Sequence, residues 1–132
     1  MYIRDGQSST VVKATVGTGG VAKGSLCVIT SNTAVKSAAA PTAATVFGIA
    51  LATVAATAVG SFELVSNRII TAKYTGSSKT SLTDADLTKV FDLTDDLTVN
   101  LDDTTGGCCF CVGYDNVAKT IDFVVTEVAK IV

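Results

Sequence analysis

Residues 119–128 read Lys-Thr-Ile-Asp-Phe-Val-Val-Thr-Glu-Val, and a large apolar side chain stands at every second position from 121 to 125. Ile121, Phe123 and Val125 share one face of an extended chain, and their neighbours fall on the other face. β-Branched and aromatic residues suit a pleated, half-buried surface. The period of two therefore predicts a β-strand with one buried face.

Segments of the same character precede this strand, and turns rich in Gly, Ser, Asn and Asp separate them. The Ser66-Asn67 pair predicts a hairpin between the strands on either side of it. The predicted strands are Ser9–Val16, Ser25–Thr30, Thr33–Lys36, Thr45–Ala52, Ser61–Val65, Arg68–Tyr74, Val90–Leu93, Leu97–Leu101 and Cys108–Tyr114.

A single helical turn is expected at residues 82–87, with Thr83 as its N-cap and acidic residues in its first turn. No repeat of fixed length can be aligned within the chain. We therefore predict an all-β protein: a small single-domain β-barrel or β-sandwich with at most one short helical turn. Residues 1–8 are expected to form an N-terminal arm, and residues 9–132 the β domain.

The composition argues against an enzyme, because the chain has no histidine and no recognisable nucleophile motif. Cys27 stands alone and Cys108, Cys109 and Cys111 are crowded together, a spacing unlike that of zinc sites. We expect reduced, buried thiols, no bound metal and no cofactor. The acidic segment 84–103 lacks a calcium-loop motif, which weakens the case for a cation site. Whether the segment binds a cation stays open.

Charge is unevenly distributed along the chain. Residues 1–80 hold seven basic and two acidic side chains, a balance of +5, and residues 81–132 hold three basic and ten acidic ones, a balance of −7. This split favours docking between copies or a solvated acidic loop equally. Basic residues are too dilute for a nucleic-acid partner. The uncharged run 37–62 contains Pro41, Gly48 and Gly60, which argues against a membrane span.

Six short segments have a recognisable pattern: Lys23–Val28, Phe47–Ala50, Leu82–Val90, Asp95–Val99, Val112–Tyr114 and Ile121–Val125. They resemble motifs of the small proteins that decorate tailed-phage heads. The resemblance covers most of residues 10–128, and Thr88 departs from it where the family usually has glycine. The resemblance implies a capsid cement protein that is β-tulip-like and commonly trimeric. It also implies the major capsid protein as partner and the virion capsid surface as location, after assembly in the host cytoplasm.

Three residues near the N-terminus are the candidate capsid contacts. Tyr2, Ile3 and Arg4 precede the first predicted strand, so they are expected either to become ordered on a capsid subunit or to be a frayed terminus. Two other functions stay open. One is a carbohydrate- or surface-binding β-sandwich of a tail fibre or adhesin, and the other is a membrane-inserted coat subunit that uses residues 37–62 as a helix.

Overall fold

The computed structural model describes residues 1–4, 10–37, 46–65, 68–105 and 107–125. The prediction of an all-β single domain is confirmed, and the one helical element among these residues is the 3₁₀ turn Asp84–Asp86. No helix among the described residues has the length and apolar character needed to span a membrane. The strands are β1 Tyr2–Ile3, β2 Val11–Val16, β3 Leu26–Thr30, β4 Thr33–Lys36, β5 Phe47–Ala50, β6 Val59–Leu64, β7 Ile69–Thr75, β8 Val90–Leu93, β9 Thr98–Asn100, β10 Cys109–Asp115 and β11 Thr120–Val125.

The first ring is a closed barrel of five strands in the order β2-β4-β3-β5-β6. Its neighbouring strands are antiparallel except for β2 and β4, which are parallel. The β3–β4 hairpin turns at Ser31 and Asn32, which both have positive φ angles (49° and 63°). Positive φ at both central residues is the geometry of a type I′ turn, whose twist matches that of the flanking strands.

The second ring is built from the C-terminal half of the chain. Its strands are hydrogen-bonded in the order β7-β11-β10-β8-β9, and a parallel pairing between β9 and β7 joins the two ends. β1 adds to β7 outside this ring and makes the sheet six-stranded. Each ring therefore closes on itself, and closure leaves few strand edges open.

The two rings share one continuous core. Leu26, Phe47 and Ile49 of the first ring belong to the same buried cluster as Phe91 and Phe123 of the second ring. A smaller cluster around Phe62 fills the inside of the first ring. Because side chains of the first ring complete the main cluster, the rings pack as one unit.

The two rings repeat one topology, although the sequence has no repeat of fixed length. β2 to β6 correspond to β7 to β11 in order, and each antiparallel or parallel pairing has its counterpart. The register is also the same: Val12 pairs with Phe62 in the first ring, and Ile70 pairs with Phe123 in the second. The equivalent inward positions are Val12/Ile70, Ala14/Ala72, Val16/Tyr74, Cys27/Phe91, Ile29/Leu93, Ala34/Val99, Ala50/Cys111 and Phe62/Phe123.

This repeat cannot be recognised in the sequence for two physical reasons. The connections differ in length, since residues 17–25 join β2 to β3 whereas residues 76–89, with the 3₁₀ turn, join β7 to β8. Equivalent core positions also hold side chains of different volume, such as Cys27 and Phe91. Each core is filled by its own combination of large and small residues, which packing tolerates when the total volume fits.

The predicted hairpin at Ser66-Asn67 is wrong. The strands on either side exist, but β6 pairs with β2 and β5 in the first ring, and β7 pairs with strands of the second ring. The chain thus leaves one ring and enters the other between these strands. Ser66 and Asn67 themselves lie outside the described residues.

The expectation that the N-terminal residues order only on a capsid also differs from the structure. Tyr2 and Ile3 form β1, antiparallel to β7, with Tyr2 opposite Thr71 and Ile3 opposite Ile70. The exposed edge of β7 provides unpaired backbone groups, and these hold the N-terminal segment. Residues 1–4 therefore belong to the fold.

Candidate functional site

β1 lies where the two rings meet. The Arg4 N–H donates to the Ile69 carbonyl at 2.7 Å and extends the pairing with the second ring. The Met1 ammonium donates to the Gly24 carbonyl of the first ring at 3.0 Å. Burial lowers the pKa of this ammonium, although the nearby Asp96 carboxylate opposes the shift. The N-terminus is thus fixed to both rings.

A small crevice opens between β1 and the first ring. Its volume is about 180 Å³, and most of its lining is apolar or backbone. The residues that line it are Met1, Tyr2, Ile3, Lys23, Gly24, Ile49, Ala50, Leu51 and Glu63. Two large apolar side chains at this crevice remain in contact with water, since Tyr2 is 60% exposed and Leu51 is 40% exposed. These two side chains give the crevice apolar surface that is free to be covered by a partner.

The three predicted contact residues have different surroundings. Tyr2 projects into solvent, as a contact residue requires. Ile3 is half-buried and packs against the main core. Arg4 forms a salt bridge with Asp122, whose other carboxylate oxygen accepts a hydrogen bond from the Thr71 hydroxyl at 2.6 Å. Tyr2 and Arg4 are both exposed, and Tyr2 is the one whose side chain is apolar and not engaged in an ion pair.

Exposed apolar side chains also occur on the outer face of the first ring. Val11, Val35 and Val59 lie on β2, β4 and β6 and are each about half or more exposed. The equivalent positions of the second ring hold Ile69, Asn100 and Thr120, which are more covered. The first ring therefore presents the more apolar outer surface.

The acidic segment 84–103 stabilises turns of the second ring. Asp102 accepts hydrogen bonds from the backbone N–H groups of Ser77 and Lys79, which lower the pKa of its carboxyl. Asp84 accepts a hydrogen bond from the Tyr114 hydroxyl at 2.8 Å, which raises the pKa of that phenol. The described residues contain no group of three or more Cys, Asp or Glu placed to hold a metal ion.

All four cysteines are unpaired and buried. Burial raises the pKa of the Cys27 thiol to about 12 and that of Cys109 well above its usual value. On β10, Cys109 and Cys111 are fully buried and Phe110 between them is partly exposed, as expected where side chains alternate along a strand. These thiols act as small core residues.

Some of the basic residues of the first half of the sequence form ion pairs with acidic residues of the second half within the same chain. Arg4 pairs with Asp122, and Lys79 pairs with Asp86 at 2.9 Å. Both pairs join the basic half of the sequence to the acidic half. Docking between copies therefore has fewer complementary charges to draw on than the sequence indicates.

Comparison of the chain with known protein families, with curated protein sequences and with solved structures found no match. The crevice also contains residues that sequence reasoning did not select, namely Lys23, Leu51 and Glu63. They come from separate loops and strands, so no local motif joins them. The signal that the sequence did offer was the position of Tyr2 and Ile3 before the first long strand.

Proposed function

We propose that this protein decorates and stabilises an icosahedral phage capsid, as a virion structural protein without enzymatic activity. The observation that carries the proposal is the exposed pair Tyr2 and Leu51 at a crevice held by two closed β rings. A cement protein has to bridge lattice subunits without deforming, and ring closure with a shared core provides that rigidity. The motif resemblance supplies the kind of partner, the major capsid protein.

The same proposal includes assembly as a homotrimer on the capsid surface. The exposed valines of the first ring provide apolar area that another copy or a lattice subunit is suited to cover. Surface ion pairs contribute only about 0–1 kcal/mol each, so apolar contacts are expected to dominate the affinity. Light scattering coupled to size exclusion tests the trimer, and a monomer at all concentrations would contradict it.

Binding to undecorated shells tests the function itself. We expect the wild-type chain to sediment with empty shells, and a Tyr2→Ser/Leu51→Ser variant to bind about tenfold more weakly or worse, because it loses buried apolar area. The matched control is Val117→Ser, since Val117 is 97% exposed in the turn between β10 and β11. Equal loss in the control, or no binding by the wild type, would refute the proposal.

The alternative of a carbohydrate-binding module stays a prediction. Among the described residues that line the crevice, Tyr2 is the one aromatic residue, whereas sugar sites usually place aromatic rings against the ligand. A glycan array run with the same three proteins separates the two functions. Saturable binding to a glycan, together with no binding to shells, would favour the alternative.

A further inference from the structure

The internal repeat shows a strand position that is filled in one ring and open in the other. In the second ring, β1 pairs with β7 at Ile70 and Thr71, and β9 pairs with the same edge further along, at Lys73–Thr75. In the first ring, β4 pairs with β2 at Thr15 and Val16, the positions equivalent to Lys73 and Tyr74. On the β4 side, no described residue pairs with Val12 and Lys13, the positions that correspond to Ile70 and Thr71.

Backbone direction shows which groups this open edge offers. The Val16 N–H donates to Ala58 on the β6 side, and the Thr15 N–H donates to Asn32 on the β4 side. Alternate residues of a strand direct their N–H and C=O groups to opposite neighbours. Lys13 and Val11 therefore direct theirs to the β4 side, beyond the point where β4 ends its pairing. Both side chains are exposed, and no described residue on the β4 side hydrogen-bonds to the backbone of Val11 or Lys13.

In the second ring, β1 occupies the equivalent edge. Thr71, which corresponds to Lys13, lies opposite Tyr2, and the Ile69 carbonyl, which corresponds to that of Val11, accepts the Arg4 N–H at 2.7 Å. The segment Tyr2–Arg4 thus shows what this kind of edge accepts. It is an extended, antiparallel strand with an apolar residue on its inward face.

We propose that the edge of β2 at Val11–Lys13 is a strand-addition site for an extended segment of the shell protein. This proposal rests on the proposed capsid function. Addition of a strand to an open edge gives affinity through backbone hydrogen bonds, and side chains on alternate positions give selectivity. The partner segment runs antiparallel to β2, as β1 runs to β7.

The neighbouring side chains define the chemistry of that segment. Its central residue lies opposite Val12, which is half-buried against the inner cluster of the first ring, so it is apolar as Ile3 is. Its next residue lies opposite Val11, whose partner on the other side is Glu63. Glu63 lies on β6, one strand further away, and a basic residue is favoured there because a long side chain can reach across β2, as Arg4 of β1 reaches across β7 to Asp122 of β11. The expected pattern is therefore the one that Ile3 and Arg4 present to the second ring.

Proline substitution tests the backbone role of Lys13. Lys13→Pro removes the N–H of the open edge, and proline is tolerated on edge strands where that group faces solvent. Lys13→Ala removes the charge but keeps the N–H. In sedimentation with empty shells, we expect Lys13→Pro to bind at least about tenfold more weakly than wild type and Lys13→Ala to bind within about twofold. Circular dichroism checks that each variant is folded, and Val11→Pro replaces Lys13→Pro if the latter is not.

The outcomes separate this inference from the function on which it rests. Wild-type binding that both proline variants retain overturns the strand-addition site and leaves the capsid function standing. An equal loss in Lys13→Ala also overturns it, because the side chain would then be the contact. If wild type binds no shell, the capsid function is refuted. A peptide that stands in for the shell segment then tests whether the edge of β2 accepts a strand.

The surrogate is an acetylated peptide with the sequence of residues 1–6, added to the isotope-labelled chain at millimolar concentration. We expect amide chemical-shift changes at Val11 and Lys13 in the wild-type chain, and no change at Val11 in Lys13→Pro. Shifts elsewhere, or no shifts at all, overturn the site. Self-pairing of β2 edges between two copies would appear as a concentration-dependent dimer without shell or peptide, and would also overturn the assignment of the shell protein as occupant.

Discussion

Asp86 is a carboxylate buried inside its own network of donors. It is 1% exposed, and its oxygens receive the Thr83 N–H at 2.9 Å, Lys79 at 2.9 Å and Lys89 at 3.1 Å. Burial by itself raises the pKa of this carboxyl, but the hydrogen bonds outweigh burial and lower the pKa to about 2. The network closes the 3₁₀ turn and ties Lys79 to it.

The Asp86 network predicts a pH-dependent contribution to stability. A lowered folded-state pKa stabilises the fold above the usual carboxyl value near 4, and this contribution is lost as the pH falls towards 2. We expect Asp86→Asn to lower the free energy of unfolding by about 1–3 kcal/mol at pH 7, and the difference from wild type to shrink by pH 2.5. Urea titrations at several pH values measure it, with the exposed Asp95→Asn as control. A difference that does not change with pH would contradict this explanation.

The cysteines predict a second residue-scale result. Thiolates are the reactive species, and raised pKa values together with burial keep the Cys27 and Cys109 thiols protonated and inaccessible in the folded chain. We expect no reaction with a thiol reagent at pH 8 in the native state, and reaction of all four cysteines in denaturant. Fast labelling of the native protein at either position would show that the cores open readily.

At the scale of elements, different side chains of β1 are expected to contribute to stability and to binding. Ile3 packs on the main core, whereas Tyr2 on the same strand is mostly exposed. We expect Ile3→Ala to lower the free energy of unfolding by about 1–2 kcal/mol and Tyr2→Ser to change it by less than about 0.5 kcal/mol. Denaturant titrations measure both. A large loss in Tyr2→Ser would mean that the side chain supports the fold and is not kept for a partner.

The same scale shows what the sequence predicts and what it does not. The alternation along residues 119–128 predicts one buried face that carries Ile121 and Phe123, and both are fully buried, because side-chain direction in a strand is a local property. Strand pairing is not local: β2 pairs with β6 across more than forty residues of sequence (11 to 63). Pairing depends on which cores fill together, so neither the ring order nor the β1 position follows from any one segment. The set of residues that line the crevice could not be predicted from the sequence for the same reason.

At the scale of the molecule, the shared core predicts that the two rings unfold together. The rings have equivalent topology, but Leu26, Phe47 and Ile49 of the first ring help to cover the core of the second. Unfolding either ring would expose part of the other's core, which is the condition for a single cooperative transition. Cys27 lies in the first ring and Cys109 in the second, so pulsed thiol labelling reports on each ring separately. We expect their labelling midpoints in urea to coincide.

Substitutions of Phe62 and Phe123 test this expectation with a stated magnitude. They occupy equivalent positions, both are 0% exposed, and each lies in the inner core of its own ring. Removal of a buried phenyl ring costs about 3–5 kcal/mol, so we expect Phe62→Ala and Phe123→Ala to lower the free energy of unfolding by similar amounts. Each substitution should shift the labelling of Cys27 and Cys109 to the same lower urea concentration. If Phe62→Ala exposes Cys27 while Cys109 stays protected, the rings are independent units and the shared core does not couple them.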